Sequence, residues 1–361
     1  MRKLTLLLSL YLLFQLPAQS QGCVAIRSSG GSCSKMHPET SKGWTVATSY
    51  RYFESFRHYV GTEEQHERLE QHTEVINWAH SLNLELTRQF NNRWSMALYI
   101  PIIANSRSSL YEHGGNSMGQ AGRHTTSSFG LGDIRIAAYR WLMDPVRSMK
   151  WNVQAGLGIK LATGDYRVED FFVKSNGTKV QGPVDQSIQL GDGGTGFTTE
   201  FNAFYNINKQ FSLYGNFYYL FSPREQNGVS TSRGGTPSAT AIAYNTTTMS
   251  VPDQMMIRAG VNYTLKHLTV SGGIRKEYLP SKDLIGGSNG FRRPGYITSI
   301  EPGLSYEFKK ISAFATVPFA VKRNRTQSQA DIERTKATGV YAHGDAAFAD
   351  YNINLGITFK L

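Results

Sequence analysis

The stretch Trp151-Asn-Val-Gln-Ala-Gly-Leu-Gly-Ile-Lys-Leu161 decides the reading of this chain. Its odd positions hold Trp, Val, Ala, Leu, Ile and Leu; its even ones hold Asn, Gln, Gly, Gly and Lys. Successive side chains of a strand point to opposite faces, so this is a ribbon with one apolar and one polar side. Its length also matches the roughly 9–11 residues that a tilted strand needs to cross a bilayer.

A soluble sheet can show such a segment once; here it recurs. Phe211 to Phe221 sets Phe, Leu, Gly, Phe, Tyr and Phe against Ser, Tyr, Asn, Tyr and Leu. Met255 to Leu265 sets Met, Ile, Ala, Val, Tyr and Leu against Met, Arg, Gly, Asn and Thr. Ile311 to Val321 and Ala349 to Leu361 repeat the pattern, and weaker strands are expected near 44–59, 73–90, 94–104, 129–142, 196–207, 268–278 and 295–308. The links between them alternate in length. Short ones lie at 91–93, 144–150, 208–210, 266–267 and 309–310; long polar ones lie near 60–72, 105–128, 164–195, 222–250, 279–294 and 322–345. Short turns at one rim and long loops at the other mark bacterial barrels, and an even strand count puts both termini in the periplasm. The expectation is an all-β, antiparallel transmembrane barrel of about twelve strands, within a range of about 10–14.

The rest of the chain fits that address. Arg2 and Lys3, the apolar run Leu4 to Leu16 and Ala18-Gln19-Ser20 form an export signal over 1–20, too short for a spanning helix. A periplasmic segment over 21–43 and a barrel over 44–361 follow. The two cysteines, Cys23 and Cys33, flank Gly30-Gly31 and read as a local disulfide in an oxidising compartment. Free thiols, or a lipid on Cys23, are the alternatives. Without Arg2 and Lys3 the chain keeps 36 basic and 27 acidic residues, spread without a basic stripe, which excludes a nucleic-acid role. The mature chain has no run of 18 apolar residues, which excludes helical spans. The chain is instead rich in glycine (35), tyrosine (19) and phenylalanine (19), as a wall wet on one face requires. Trp44, Trp94 and Trp151 begin strands after the N-terminal segment or a short link, and Trp141 ends one before such a link. All four are expected in one interfacial girdle.

By the same alternation the inward charges are Arg51, Glu85, Asp133, Arg135, Lys160, Glu200, Arg258, Arg275, Glu301, Glu307, Asp350 and Lys360, six basic and six acidic. Such groups tune a conducting pore, and their balance argues against strong ion selectivity. Paired with one another, they would instead close a narrow barrel, and twelve strands lie between the filled eight-stranded and open sixteen-stranded cases.

Three other motifs lose to plainer readings. Gly191-Asp-Gly-Gly-Thr-Gly196 matches a dinucleotide-binding spacing, yet it lacks the strand before and the helix after, so it reads as a loop-to-strand turn. Residues 63–72 carry His66 and His72 among four glutamates, a weak metal candidate whose spacing matches no closed site; no metal or other cofactor is expected. A lipid-facing Ser-His pair, as in outer-membrane phospholipase, needs the two residues two apart on one strand. His80 has Leu82 there, so no enzyme is expected.

Several segments resemble a known family. Gly130-Leu-Gly-Asp-Ile-Arg-Ile-Ala-Ala-Tyr-Arg-Trp-Leu142 resembles the GLGD strand of the outer-membrane family labelled for the meta-pathway of phenol degradation. Lys160 to Asp165 and Leu190 to Gly196 are similar to two further glycine-marked segments, and Ser55 to Gln65 with Val75-Ile-Asn77 resembles a subgroup. The likeness covers about residues 40–220 and implies a barrel allied to channels for hydrophobic compounds; phenol chemistry does not transfer with the label.

Two functions compete on these readings. The first is an outer-membrane channel passing small molecules, hydrophobic ones among them, by passive diffusion. The second is a closed barrel acting as an adhesin, scaffold or partner platform through its loops. Expected partners are a small solute, outer-membrane lipid, and lipopolysaccharide phosphates near Lys322, Arg323, Arg325, Arg334 and Lys336. The barrel-assembly machinery would read the final strand, which carries Phe359 two residues before Leu361 in place of a terminal aromatic. The loops 222–250 and 322–345, poor in anchors, read as mobile.

Overall fold

Alternation in sequence becomes a two-sided wall. Along Trp151–Lys160 the odd side chains Trp151, Leu157 and Ile159 are exposed on the outer surface, while Asn152 and Lys160 are buried. The structure is a computed structural model describing residues 42–361, so the export signal, the Cys23–Cys33 pairing and nearly all of the 21–43 segment lie outside the described residues.

Twelve antiparallel strands form the wall. They are β1 (Gly43–Val60), β2 (Ile76–Gln89), β3 (Trp94–Ser109), β4 (His124–Leu131 continued by Arg135–Trp141), β5 (Trp151–Lys160), β6 (Gly196–Asn206), β7 (Phe211–Phe221), β8 (Gln254–Leu265), β9 (Leu268–Leu279), β10 (Gly295–Phe308), β11 (Ile311–Thr316 continued by Phe319–Asn324) and β12 (Ala346–Lys360). Each pairs with its successor, and β12 pairs back to β1 from Thr45↔Lys360 to Tyr59↔Ala346. Closure satisfies backbone groups that lipid would leave bare. β11 is interrupted at Val317-Pro318, where proline has no N–H to give the ladder.

The strand and loop pattern expected from the sequence holds, with one extension. Residues 105–128 are not all loop, because Ile102–Ser109 of β3 pair with His124–Leu131 of β4. Both faces there are polar (Asn105-Ser-Arg-Ser-Ser109, His124-Thr-Thr-Ser-Ser128), so apolar alternation ends before the hydrogen-bonded ladder does.

The long loops fold over and into one end of the barrel. Val184, Ile188 and Leu190 of the third long loop, with Val251 of the fourth, are buried. Loops 222–250 and 322–345, read above as poorly anchored, carry local structure. Gln226–Ser230 pairs with Thr248–Ser250, and Gln329–Thr338 is a helix with a reciprocal Ser328–Asp331 capping box and Gly339 in the left-handed region at its end. Arg224 donates to the carbonyls of Gly193 and Asn227, tying the fourth loop to the third.

Trp44, Trp94 and Trp151 stand on the outer surface near the short-turn rim, and guanidinium groups lie over two of them: Arg88 5.1 Å from the Trp44 ring and Arg140 5.3 Å from the Trp94 ring. Trp141 does not join them. It shares the parity of Arg135 and Tyr139, lines the interior and meets Phe204 edge-on at 5.8 Å. Its place at a strand end suggested a girdle; its parity put it inside.

Candidate functional site: the barrel interior

The interior side chains form two charged clusters, with Asn216 of β7 between them, bonded to Glu200 at 3.3 Å and opposite Arg258 in register. In the first, Arg135 of β4 pairs with Glu200 of β6 at 3.2 Å. Tyr139 donates to the same carboxylate at 2.9 Å and accepts from Arg135 at 3.1 Å, and its hydroxyl lies 2.9 Å from that of Tyr99. The Arg135 guanidinium also lies over the Tyr99 ring at 4.1 Å. In the second, Glu301 of β10 takes Arg258 at 2.8 Å and Arg275 at 3.5 Å, and Arg275 also donates to Glu277 at 2.8 Å. Arg51 of β1 approaches Glu277 of β9 at 3.9 Å across the barrel interior. These groups are nearly all buried, where charges persist only when paired and hydrogen-bonded.

Above this belt, toward the long loops, Lys160 Nζ reaches Asp133 at 2.9 Å, Asp192 at 2.6 Å and the Gly194 carbonyl at 2.6 Å. One ammonium thus ties the third long loop to the wall. Gly191 permits the approach, because a Cβ there would stand 2.5 Å from the Asp133 carboxylate. The glycine run 191–196 is a loop entering β6.

Three cavities follow one another along the axis. The first, about 350 Å³ at the short-turn end, is walled by Thr45, Gln89, Gln154 and Tyr214 and reaches up to Arg135, Glu200 and Arg258. The second, about 120 Å³, lies between the belt and the inserted loops and shares Asp133 and Arg135 with the first. The third, about 390 Å³, opens among the long loops and shares Arg293 with the second. Arg135 and Arg293 therefore border the two partitions.

At the upper partition Arg293 holds Asp185 with two bonds of 2.8 and 2.7 Å. Arg107 and Arg233 pair with Glu112 at 3.1 and 3.0 Å and approach Asp185 at 3.7 and 3.9 Å. Burial alone would push the Asp185 carboxyl up, but the charges of Arg107 and Arg293 hold it well below the usual carboxylate range. On the loop side, burial pulls the Arg325 guanidinium down to about 10 despite Asp331 at 3.3 Å.

Of the twelve inward charges expected, Arg51, Glu85, Asp133, Arg135, Glu200, Arg258 and Arg275 line the first cavity, Lys160 lines the second and Glu301 sits in the belt. The other three stand apart from it. Glu307 has Glu301's parity but is exposed near the short turn after β10, and Lys360 sits beside Thr45 at the same rim. Asp350 pairs with Arg323 at 2.5 Å and Arg57 at 3.4 Å near the long-loop end. Glu277, Tyr99 and Tyr139 were missed. Glu277 was recoverable, since it follows Arg275 by two on the same strand. The cluster of Arg107, Arg233 and Arg293 was not, because it joins a strand and two loops far apart in sequence.

His66 is largely exposed, 3.9 Å from Glu64, and among the described residues no three His, Cys, Asp or Glu groups are placed to share a metal. His80 lies on the outer wall with its Nδ1 2.7 Å from the Tyr50 hydroxyl and its ring 4.9 Å from that of Tyr52.

No family model and no curated protein matches the chain. The resemblance drawn from the glycine-marked segments therefore stands at the level of the fold. Among solved structures, an outer membrane channel from Pseudomonas putida F1 superposes with a TM-score of 0.57 at 9% identity, covering 93% of this chain and 100% of that one. A toluene transporter of Ralstonia pickettii gives 0.44 at 10% identity over 90% of that chain and 89% of this one. The autotransporter translocator domain of Neisseria meningitidis NalP also gives 0.44 at 10%, over 90% of each chain. The first likeness establishes the fold as that of an outer-membrane barrel; the other two carry no weight.

Proposed function

We propose that this protein is an outer-membrane channel admitting small molecules, with the long loops facing outward and both ends of the chain in the periplasm. The supporting observation is the file of three cavities sharing Arg293 at one partition and Asp133 with Arg135 at the other. A barrel serving only as a platform has no need of polar chambers in series. Ion pairs stand at both partitions, and inserted loop segments around Ser187 and Ser250 line the upper one beside them, so a path opens when side chains and loop shift while the wall stays closed. The exposed aromatic and aliphatic side chains of the outer wall favour a membrane setting, with Trp44, Trp94 and Trp151 at its periplasmic boundary. Transport by passive diffusion needs no catalytic group.

Purified protein should form discrete conductance steps in planar bilayers and run faster on SDS gels unboiled than boiled. A silent bilayer, with barrel folding confirmed on the gel, would overturn the channel and leave the platform reading.

A further inference from the structure

The cavity among the long loops has a composition unlike the balanced belt below it. Arg107, Arg233 and Arg293 line one part, and Arg68, Arg325 and Arg334 another, with Arg292 beside them; Asp331 and Asp345 are the carboxylates of the lining. Glu112, Asp185 and Asp283 reach these arginines from behind, through contacts of 3.0, 2.7 and 2.7 Å to Arg233, Arg293 and Arg292. Seven guanidinium groups thus meet five carboxylates, an excess of two positive charges. Donors are in surplus as well: among the described residues the buried Nε–H groups of Arg233, Arg292 and Arg325 have no hydrogen-bond partner. A buried donor left without an acceptor is costly, and an incoming anion lets the cluster rearrange to satisfy it.

The same cavity is partly apolar and aromatic, with Val75, Tyr111, Tyr244 and Phe291 in its lining. Two arginines lie over rings, Arg233 5.0 Å from Tyr111 and Arg293 4.7 Å from Phe291. Cations beside rings give the cavity apolar and positive surface together; the Arg293 fork is already held by Asp185, so the surplus donors are those of the other arginines. The volume of about 390 Å³ lies in the range of small-molecule sites, generally about 300–1,000 Å³. It is far more than an inorganic anion fills.

We infer that this cavity binds a small aromatic carboxylate. The inference rests on the channel reading in taking this ligand as the solute admitted, and it names the class of that solute. From this site Arg293 leads to the middle chamber, where Lys160 is the next cation.

The test is calorimetry on the full chain in detergent, with benzoate, its neutral isostere benzamide and inorganic phosphate as probes. Benzoate should bind about tenfold or more tightly than benzamide, and weaken with added salt. The double variant Arg233→Gln, Arg334→Gln should lose about tenfold in benzoate affinity. Arg334→Gln alone, on the exposed helix face, serves as the variant that folding cannot confound and should also weaken benzoate. Equal affinity for benzoate and benzamide, no binding of either, or phosphate displacing benzoate as an equal would each overturn the inference. Conductance separates the two readings: an open pore that ignores benzoate sinks only the site, whereas benzoate binding to a protein silent in bilayers sinks only the channel.

Discussion

The ring of Tyr139 occupies the space where a side chain at position 156 would begin. A Cβ built on Gly156 of β5 would lie 2.5 Å from the Tyr139 ring on β4. The missing side chain lets the phenol lie across the neighbouring strand, from which its hydroxyl reaches Glu200 and Arg135. Gly156→Ala should therefore displace Tyr139 and loosen the belt. The expected cost is about 1–3 kcal/mol in denaturant unfolding of the barrel, with increased open-pore noise. Unchanged stability together with unchanged conductance would show that the ring is free to move.

Glu301 stands between two buried cations, Arg258 and Arg275. Glu301→Gln keeps the shape but strands positive charge in the barrel, at a cost of about 3 kcal/mol or more. In bilayers the reversal potential under a salt gradient should move toward anion preference. A potential that does not move would place the ion path away from Glu301.

Lys160 is the tie between wall and inserted loop, and Lys160→Met removes all three of its bonds. It also leaves Asp133 and Asp192 facing each other without the cation between them. The third loop should withdraw, conductance should rise severalfold, and protease should gain access near residues 191–194. Conductance equal to the unsubstituted protein would mean that the loop is held by its apolar residues alone.

One loop contact should respond to pH. Val173 donates its amide to His113 Nδ1 at 3.1 Å, a bond that requires this nitrogen to be unprotonated. Burial disfavours the charged ring, and His124, Lys174 and Arg233 add repulsion, outweighing Glu112 and lowering its pKa to about 4. In an undocked loop a histidine titrates near about 6.5. The docked state therefore binds fewer protons; its stability is fully present above about pH 6.5, falls as pH drops toward about 4, and levels off below. Hydrogen exchange at the Val173 amide should quicken from pH 7.5 to 4.5 relative to its intrinsic rate, and His113→Asn should abolish that response. An identical response in the variant would assign the effect to another group.

The wall was legible because lipid outside and water within impose period two on each strand, as in Trp151–Lys160. The interior was legible only where parity was followed. Trp141 was misplaced by judging its position along the strand, although Arg135 and Tyr139 give its face directly. The upper part of β3 and β4 was hidden because its inner side chains are polar ones buried against the inserted third loop, so no apolar-against-polar alternation marks the strands there. The arginine-rich cavity could not be read at all. Arg107, Arg233 and Arg293 lie more than 50 residues apart in sequence, and their meeting depends on how the loops fold inward.

Every neighbouring pair of strands in the ring is consecutive in the chain except one, β12 with β1. The hairpins can therefore form from nearby residues, whereas joining Thr45 to Lys360 must draw together points more than 300 residues apart. Ring closure is the one pairing with a large sequence separation, and contacts of that kind form slowly. Assembly speed should thus be governed by the seam, and substitutions along β1 and β12 should alter how fast the ring closes far more than identical changes in β6 or β7.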